Sequence, residues 1–368
     1  MNVLSLFDGM SCGRLALERS GIKVDNYYAS EIDKYAIQVT RSNWPATIHL
    51  GDVTKIDTSK LPKIDLLIGG SPCQSFSFAG KRKGMSTTCE EEILTLDRYL
   101  ELKEQGFEFE GQSYLFWEFM RIKEEVKPDN FLLENVVMSE KWELILSKAI
   151  GFRPIKICSS LVSAQSRKRL YWTSFGQVPA GLFGFPTNMI PQPKDRGLLL
   201  KDVLQESPEA KYYVKNPNNN KRLKQTLEEN EITETCLVDS YNKVVKKDKS
   251  ITISTRVNAA NNTHIAEKYY MSDKLIAYLV SVNKLEKQHK GLNQKSLCCT
   301  ATMYKGPGND GMTIVGGNRL RKLTPIECER LQTVPDNYTN FVSDTQRYRM
   351  LGNGWTIDVI THLLSYLD

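Results

Sequence analysis

The stretch IDLLIGGSPCQ, residues 64–74, decides how this chain is read. Ile64 to Gly70 is an apolar run too continuous to alternate between core and solvent. Such a run fits a strand of a parallel sheet covered by helices on both sides. The flanking sequence supplies the rest of that architecture. VLSLF (3–7) reads as a first strand, and the turn DGMSCG (8–13) leads into helical RLALERSG (14–21), closed by Gly21. VDNYYAS (24–30) is a second strand, KYAIQVTRSN (34–43) a helix and ATIHLGDV (46–53) a third strand region. After the run at 64–70 come an amphipathic helix, LFWEFMRIKEEV (115–126), a fifth strand, DNFLLENV (129–136), and a helix, KWELILSKAIG (141–151), ending at Gly151. This alternation predicts an α/β fold with an open, doubly wound, mostly parallel sheet.

The texture changes near residue 177. Pro and Gly punctuate 179–197, polar Asn- and Lys-rich sequence follows, and TCLVDS, SITISTRV and MTIVGG suggest short strands, with SDKLIAYLVSVN a helix. The expected division is 1–177 as the main domain, 178–318 as a smaller irregular domain, and 319–368 as a segment returning to the first. In that last segment Thr324, Pro325 and Glu327 spell a capped helix start. YRMLGNGWTIDVITHLLSYL reads as an Asn-Gly turn feeding a helix.

At 368 residues and 40% hydrophobic, the chain is long for one domain and able to bury a full core. It has no apolar run of the ~18–20 residues that cross a membrane. MNVLSLFDG lacks the basic start of a signal peptide, so the expectation is a cytoplasmic protein. A net charge of +6 permits a polyanionic partner without demanding one. The eight cysteines and four histidines are scattered without metal-ligand spacing, which predicts reduced thiols and no zinc.

In a doubly wound sheet ligands bind beyond the carboxyl ends of the strands. There the sequence places Phe7-Asp8-Gly9, then Glu31, Asp52, Ser71-Pro72-Cys73, and Glu134-Asn135. Gly9 and Gly13 suit close backbone approach to a ligand. Glu31, some 20 residues past a glycine turn, suits ribose hydroxyls, and Asp52 can accept from an adenine amino group. A GxGxxG cradle is missing, which disfavours NAD. Cys73 is a candidate nucleophile and Glu134 a candidate proton donor or holder. In AQSRKRLYW, period-two spacing places Gln165, Arg167 and Arg169 on one face of a strand.

Taken together, LFDGMSCG, SPCQ, ENV, QSRKR, RKLTPIECERLQTVPD and LGNGW occur in the order found in the DNA (cytosine-5) methyltransferases. The chain resembles that family over most of its length outside 178–318. FDG followed by small residues, ENVVM and Trp355 look closest to the Dnmt3-like branch. The resemblance implies a Rossmann-like, S-adenosyl-L-methionine-dependent methyltransferase that flips a cytosine from double-stranded DNA. It implies catalytic roles for Cys73, Glu134, Arg167 and Arg169, with Arg167 helping to hold the base and Arg169 close by. It implies cofactor contacts from Phe7, Asp8, Gly9, Met10, Cys12, Glu31, Ile32, Asp52, Val53, Asn353 and Trp355, Phe7 and Ile32 enclosing the adenine. DNA contacts would come from Gln74, Ser75, Ser77, Lys81 and Arg82, and 178–318 would be the target-recognition domain. The products would be 5-methylcytosine and S-adenosyl-L-homocysteine, made by a monomer encoded by a prokaryote or phage and associated with the nucleoid while acting.

This sequence departs from the family pattern in three places. Ser11-Cys12 replaces a glycine-rich form. An acidic insertion, TTCEEEILTLDRYLELKEQGFEFEG (87–111), follows the nucleophile loop and suits either packing on protein or a lid. Val334 stands where Phe is frequent, a packing change. The alternatives are a tRNA cytosine-C5 methyltransferase, whose Cys-Phe-Thr element is not apparent, and a catalytically silent DNA-binding homologue, disfavoured by intact Cys73, Glu134, Arg167 and Glu31.

Overall fold

The computed structural model describes residues 1–72, 92–109, 111–178, 187–212 and 322–367, and short strands at 236–239, 244–246, 263–267, 296–297, 314–316 and 319–321. The chain divides into two compact units: 1–158 with 168–193 and 357–368, and 159–167 with 194–356.

In the first unit the run at 64–70 becomes a central strand. The strands, in chain order, are β1 (Asn2–Leu6), β2 (Asn26–Ser30), β3 (Ile48–His49), β4 (Leu66–Gly70), β5 (Asn130–Val136) and β6 (Ile155–Cys158). After β7 (Gln165–Ser166), which belongs to the second unit, β8 (Lys168–Thr173) completes the sheet. Their order is β3-β2-β1-β4-β5-β8-β6. The five strands from β3 to β5 are parallel, and β8 runs antiparallel to both β5 and β6. Strand order reverses between β1 and β4, which opens a crevice at their carboxyl ends. Phe7-Asp8 and Ser71 follow directly on those two ends.

The helices form where the apolar period and caps predicted them. These are α1 (Cys12–Arg19), α2 (Lys34–Asn43), α4 (Leu115–Val126) and α5 (Glu140–Ile150), while α3 (Leu96–Glu104), inside the acidic insertion, is a helix the sequence reading did not mark. The Asp33 carboxylate accepts from the Tyr35 amide at 2.9 Å and starts α2. Gly151, at φ 88°, ends α5. Phe116, Trp117, Phe119, Met120 and Ile122 of α4 pack into one core with Leu4, Leu6, Leu67 and Leu133 of the sheet. Each such side chain contributes roughly 1.5–3 kcal/mol when buried, which fixes the face α4 presents. Gly13 serves packing: a Cβ there would lie 2.2 Å from Ile68 Cδ1, so α1 seats on β4 only with glycine at that point. This packing need stands beside the expectation that Gly13 brings backbone toward a ligand. The final helix, Ile357–Leu364, packs on α1, and Arg19 Nη1 pairs with Asp358 Oδ1.

The described part of the acidic insertion belongs to this body. Ile93, Tyr99 and Leu102 are buried in the same core, and Tyr99, Phe109 and Tyr114 stack on one another.

In the second unit β7 pairs in parallel with 296–297. A five-stranded sheet runs in the order 244–246, 236–239, 263–267, 314–316, 319–321. TCLVDS and MTIVGG supply strands of it, whereas SITISTRV and SDKLIAYLVSVN lie outside the described residues. Pro325–Leu331 is a helix with the expected capping box, Thr324 Oγ1 accepting from the Glu327 amide at 3.2 Å. Glu329, fully buried, accepts from the Asn337 and Thr339 amides and from Arg347 Nη2 at 3.1 Å, which folds the following loop around its charge. Val334 is buried, as its reading as a packing residue requires. The Asn-Gly turn is corrected: Leu351, Gly352 and Asn353 are the last turn of a helix, Asp344–Asn353, and the chain breaks only at Gly354. Glycine's freedom was read there as a turn, but helical hydrogen bonding carries through Asn353.

Candidate active site

The turn after β1 is built on left-handed backbone. Phe7, Gly9 and Ser11 lie at φ 57°, 60° and 61°. For Phe7 and Ser11 this costs of order 1–3 kcal/mol each, so surrounding bonds must hold it. Asp8 supplies them: its Oδ1 accepts from the Tyr27 hydroxyl at 2.6 Å, its Oδ2 from the Ser11 hydroxyl, and its amide donates to Ser30 O at 3.0 Å. Tyr27 carried no signal in the sequence, since its reach to Asp8 exists only once β1 and β2 pair.

Glu31 joins the ends of the same two strands. Its Oε2 accepts from the Gly9 amide and its Oε1 from the Ile32 and Asp33 amides, each at 2.8 Å. A carboxylate so oriented retains lone pairs that can only accept, a match for ribose hydroxyls. Ile32 is 71% exposed although apolar. A Cβ on Gly9 would meet no atom within 4 Å, so the turn borders open space. Met10 and Cys12 are buried. Asp52 caps the short turn Val53–Lys55, its Oδ1 accepting from the Thr54 amide at 3.0 Å.

Burial raises the Asp8 carboxyl to about pH 6, against hydrogen bonds that favour its ionised form. The folded protein therefore holds a proton that the unfolded chain releases near pH 4, and stability falls as pH rises through this window. Asp8→Asn removes that slope. In urea titrations the variant should gain on the wild type by of order 3 kcal/mol between pH 4 and pH 7. A pH-independent difference would refute this.

At the switch point's other side, Gly70 of β4 is level with Glu134 of β5. Asn135 Nδ2 donates to Ser71 Oγ at 3.1 Å, which pins the start of Ser-Pro-Cys to Glu-Asn-Val. Glu134 lies inside β5 rather than at its end, because the antiparallel β8 extends the pairing as far as Val136 opposite Arg169. It is 9% exposed, and its Oε1 pairs with Arg169 Nε at 3.0 Å. Cys73 and the proposed DNA contacts Gln74, Ser75, Ser77, Lys81 and Arg82 lie outside the described residues.

Gln165, Arg167 and Arg169 do not share one strand face. β7 ends at Ser166 and β8 begins at Lys168; between them Arg167 O accepts from the Ser159 amide at 2.9 Å, which interrupts the period. Within the second unit the Arg167 guanidinium donates to Gly352 O at 3.2 Å and Gly354 O at 3.0 Å. Gln165 Nε2 donates to Leu331 O and to Gln332 Oε1, both at 2.6 Å, and Gln332 Nε2 donates to Leu351 O. These buried amides and the guanidinium fix the backbone that carries Asn353, which is exposed, and Trp355, which is half-buried. Arg167→Met should cost about 3 kcal/mol, since two carbonyls lose charged donors. A urea midpoint unchanged from wild type would show that Arg167 does not hold this segment.

Comparison with known proteins bears on the whole chain. The model of the family described as C-5 cytosine-specific DNA methylase matches residues 1–367. The chain belongs to that family. As a C-5 cytosine DNA methylase it is an enzyme that methylates DNA, with S-adenosylmethionine as methyl source, and the tRNA and silent-homologue readings give way. The methylase is 26% identical to the type II methyltransferase M.NlaX of Neisseria lactamica over 97% of this chain and 93% of that protein. It is 25% identical to the orphan methyltransferase M.SPRI of Bacillus phage SPR over 100% and 97%. Its fold matches that of DNMT2 of Spodoptera frugiperda with a TM-score of 0.57 and 19% identity, over 100% and 99% of the two chains. The Dnmt3-like branch is not among the relatives named here, so membership holds at the level of the family. Among the described residues, no helix is long and apolar enough to cross a membrane.

Proposed function

We propose that this methylase acts on a cytosine swung out of duplex DNA, with Cys73 as nucleophile and Glu134 and Arg169 as the pair that receives the base. The register of β4 against β5 carries this reading. It sets Gly70 level with Glu134, and the Asn135–Ser71 bond holds the next residue of the Ser-Pro-Cys segment beside the Glu-Asn-Val strand. Stacking hides C6 within the duplex, so extrusion precedes attack, at roughly a few kcal/mol.

The Cys73 thiolate adds to C6, and the ring's C5–C6 π electrons move to make C5 nucleophilic. Glu134, held by Arg169, accepts from the exocyclic amino group and, taking up a proton as the base binds, donates it to N3, so the negative charge arriving on the ring is neutralised. Bound S-adenosylmethionine supplies an electrophilic methyl group. Once C5 carries that methyl, a base removes the C5 proton, the C5=C6 bond re-forms and the Cys73 thiolate leaves. In this proposal Arg169 takes the part at the base that the resemblance assigned first to Arg167, because it is Arg169 that pairs with Glu134.

On the cofactor side, Glu31 would accept from the ribose hydroxyls and Ile32 and Phe7 would enclose the adenine. Asp52 and the Val53 amide would read its edge, and Asp8, Gly9, Met10 and Cys12 would line the methionine side through the turn. The exposed apolar Ile32 beside an acceptor-only carboxylate and an open glycine turn fits such a ligand. The family resemblance adds Asn353 and Trp355 as proposed cofactor contacts. Residues 178–318 would read the DNA sequence, and Gln74, Ser75, Ser77, Lys81 and Arg82 would contact the strand around the target. The phage and bacterial relatives support an enzyme working on DNA in a prokaryotic cytoplasm, and the proposal takes it to act as a monomer.

The test is incubation with S-adenosylmethionine and mixed-sequence duplex DNA, read by bisulfite sequencing. Protected cytosines in one sequence context support the proposal and give the recognition site. Absence of protection by a folded, cofactor-binding protein overturns it.

A further inference from the structure

We infer that Glu118 is a positioning residue for adenine recognition, acting through Lys103 of the acidic insertion and through Arg121. The inference rests on the cofactor site proposed above. Glu118 lies on α4 and is fully buried, although it is charged. A buried carboxylate persists only where cations and donors satisfy it. Here its Oε1 accepts from the Tyr99 hydroxyl at 2.6 Å and pairs with Lys103 Nζ, while Oε2 accepts from Arg121 Nε at 2.8 Å.

The two cations reach further, to the same place. Arg121 Nη2 donates to Val53 O at 3.2 Å, and Lys103 Nζ donates to Thr54 O at 3.4 Å. Val53 and Thr54 form the turn that Asp52 caps. The carboxylate facing the adenine amino group and the amide beside it therefore stand on a turn whose carbonyls are held by two cations, both gripped by Glu118. Arg121 also bonds Glu125, which accepts from Thr58 Oγ1 at 2.8 Å, so the segment 53–58 is tied to α4 at two points. Half of this grip comes from α3, which the acidic insertion supplies. The insertion is thus part of the cofactor site's support, and its helix sets the position of Asp52 without touching the ligand.

Glu118→Gln keeps the shape but removes the charge that orients both cations. Its effect should fall on recognition of the adenine's amino edge. Calorimetric binding of S-adenosylhomocysteine is expected to weaken about tenfold, and the wild type's preference for it over S-inosylhomocysteine, which replaces the amino group by a carbonyl, to shrink by a similar factor. The KM for S-adenosylmethionine should rise while kcat at saturation stays within about twofold. General destabilisation would weaken both ligands alike and leave the preference intact.

Lys103→Met provides the second variant. Its side chain is 34% exposed, so the fold tolerates the loss, which frees the Thr54 carbonyl and leaves Glu118 with Tyr99 and Arg121. A smaller shift of the same kind is expected, about threefold. Unchanged affinity and preference in both variants overturn the role of Glu118. Failure of the wild type to bind S-adenosylhomocysteine overturns the cofactor site itself, and the inference with it.

Discussion

Cys73→Ala is expected to lower methyl transfer by at least about 10⁴-fold, because the proposed mechanism gives C6 no other nucleophile with which to activate C5. Binding of S-adenosylhomocysteine should stay within about threefold of wild type, since the groups proposed to hold it lie at the ends of β1, β2 and β3. A second readout isolates the covalent step. With 5-fluorocytosine in the duplex, C5 has no proton to lose after methylation, so the thioether to C6 cannot be eliminated. The wild type should form an adduct that survives denaturing electrophoresis, and Cys73→Ala none. Adduct formation by the alanine variant, or turnover near wild type, would remove Cys73 from the mechanism.

Glu134→Gln is expected to reduce kcat by about 10²–10³-fold, the scale lost when a preorganised group at a site of developing charge is removed. The amide can still touch the base, but it holds its hydrogen-bonding pattern rigidly and leaves Arg169 without its counter-charge. Breaking a largely buried pair from one side costs about 3–5 kcal/mol, much of it from the stranded charge. The thermal midpoint should therefore fall together with kcat. Glu134→Gln combined with Arg169→Gln should recover part of the stability and none of the rate, which separates structural coupling from catalysis. Single-turnover methyl transfer within threefold of wild type for Glu134→Gln would refute its role at the base.

The alternation of strand and helix was legible because it is written in local periodicity. β1, β2, β4 and β5 and the helices α2, α4 and α5 fall within two residues of where apolar pattern and caps put them. Cap chemistry is equally local, and Thr324, Gly151 and Gly21 act as read. Candidate site residues were visible for a different reason. A doubly wound sheet gathers the carboxyl ends of its strands, so a polar residue after each apolar run is a candidate before any coordinate is known.

What sequence by itself determined, then, is the order of elements and the family motifs they carry. Tertiary structure decided which partner each side chain takes, because partners distant in sequence meet only after the strands pair. Gln165, Arg167 and Arg169 look alike at period two. Yet Arg169 meets Glu134 35 residues away in sequence, while Arg167 turns to Gly352 and Gly354. Gly13 looks like a ligand-binding glycine, and its need is space for Ile68. The acidic insertion looks misplaced beside DNA until Glu118, one buried charge on another helix, shows what its Lys103 is for. Burial makes each of these contacts strong, since a charge or donor removed from water must find its complement inside the fold.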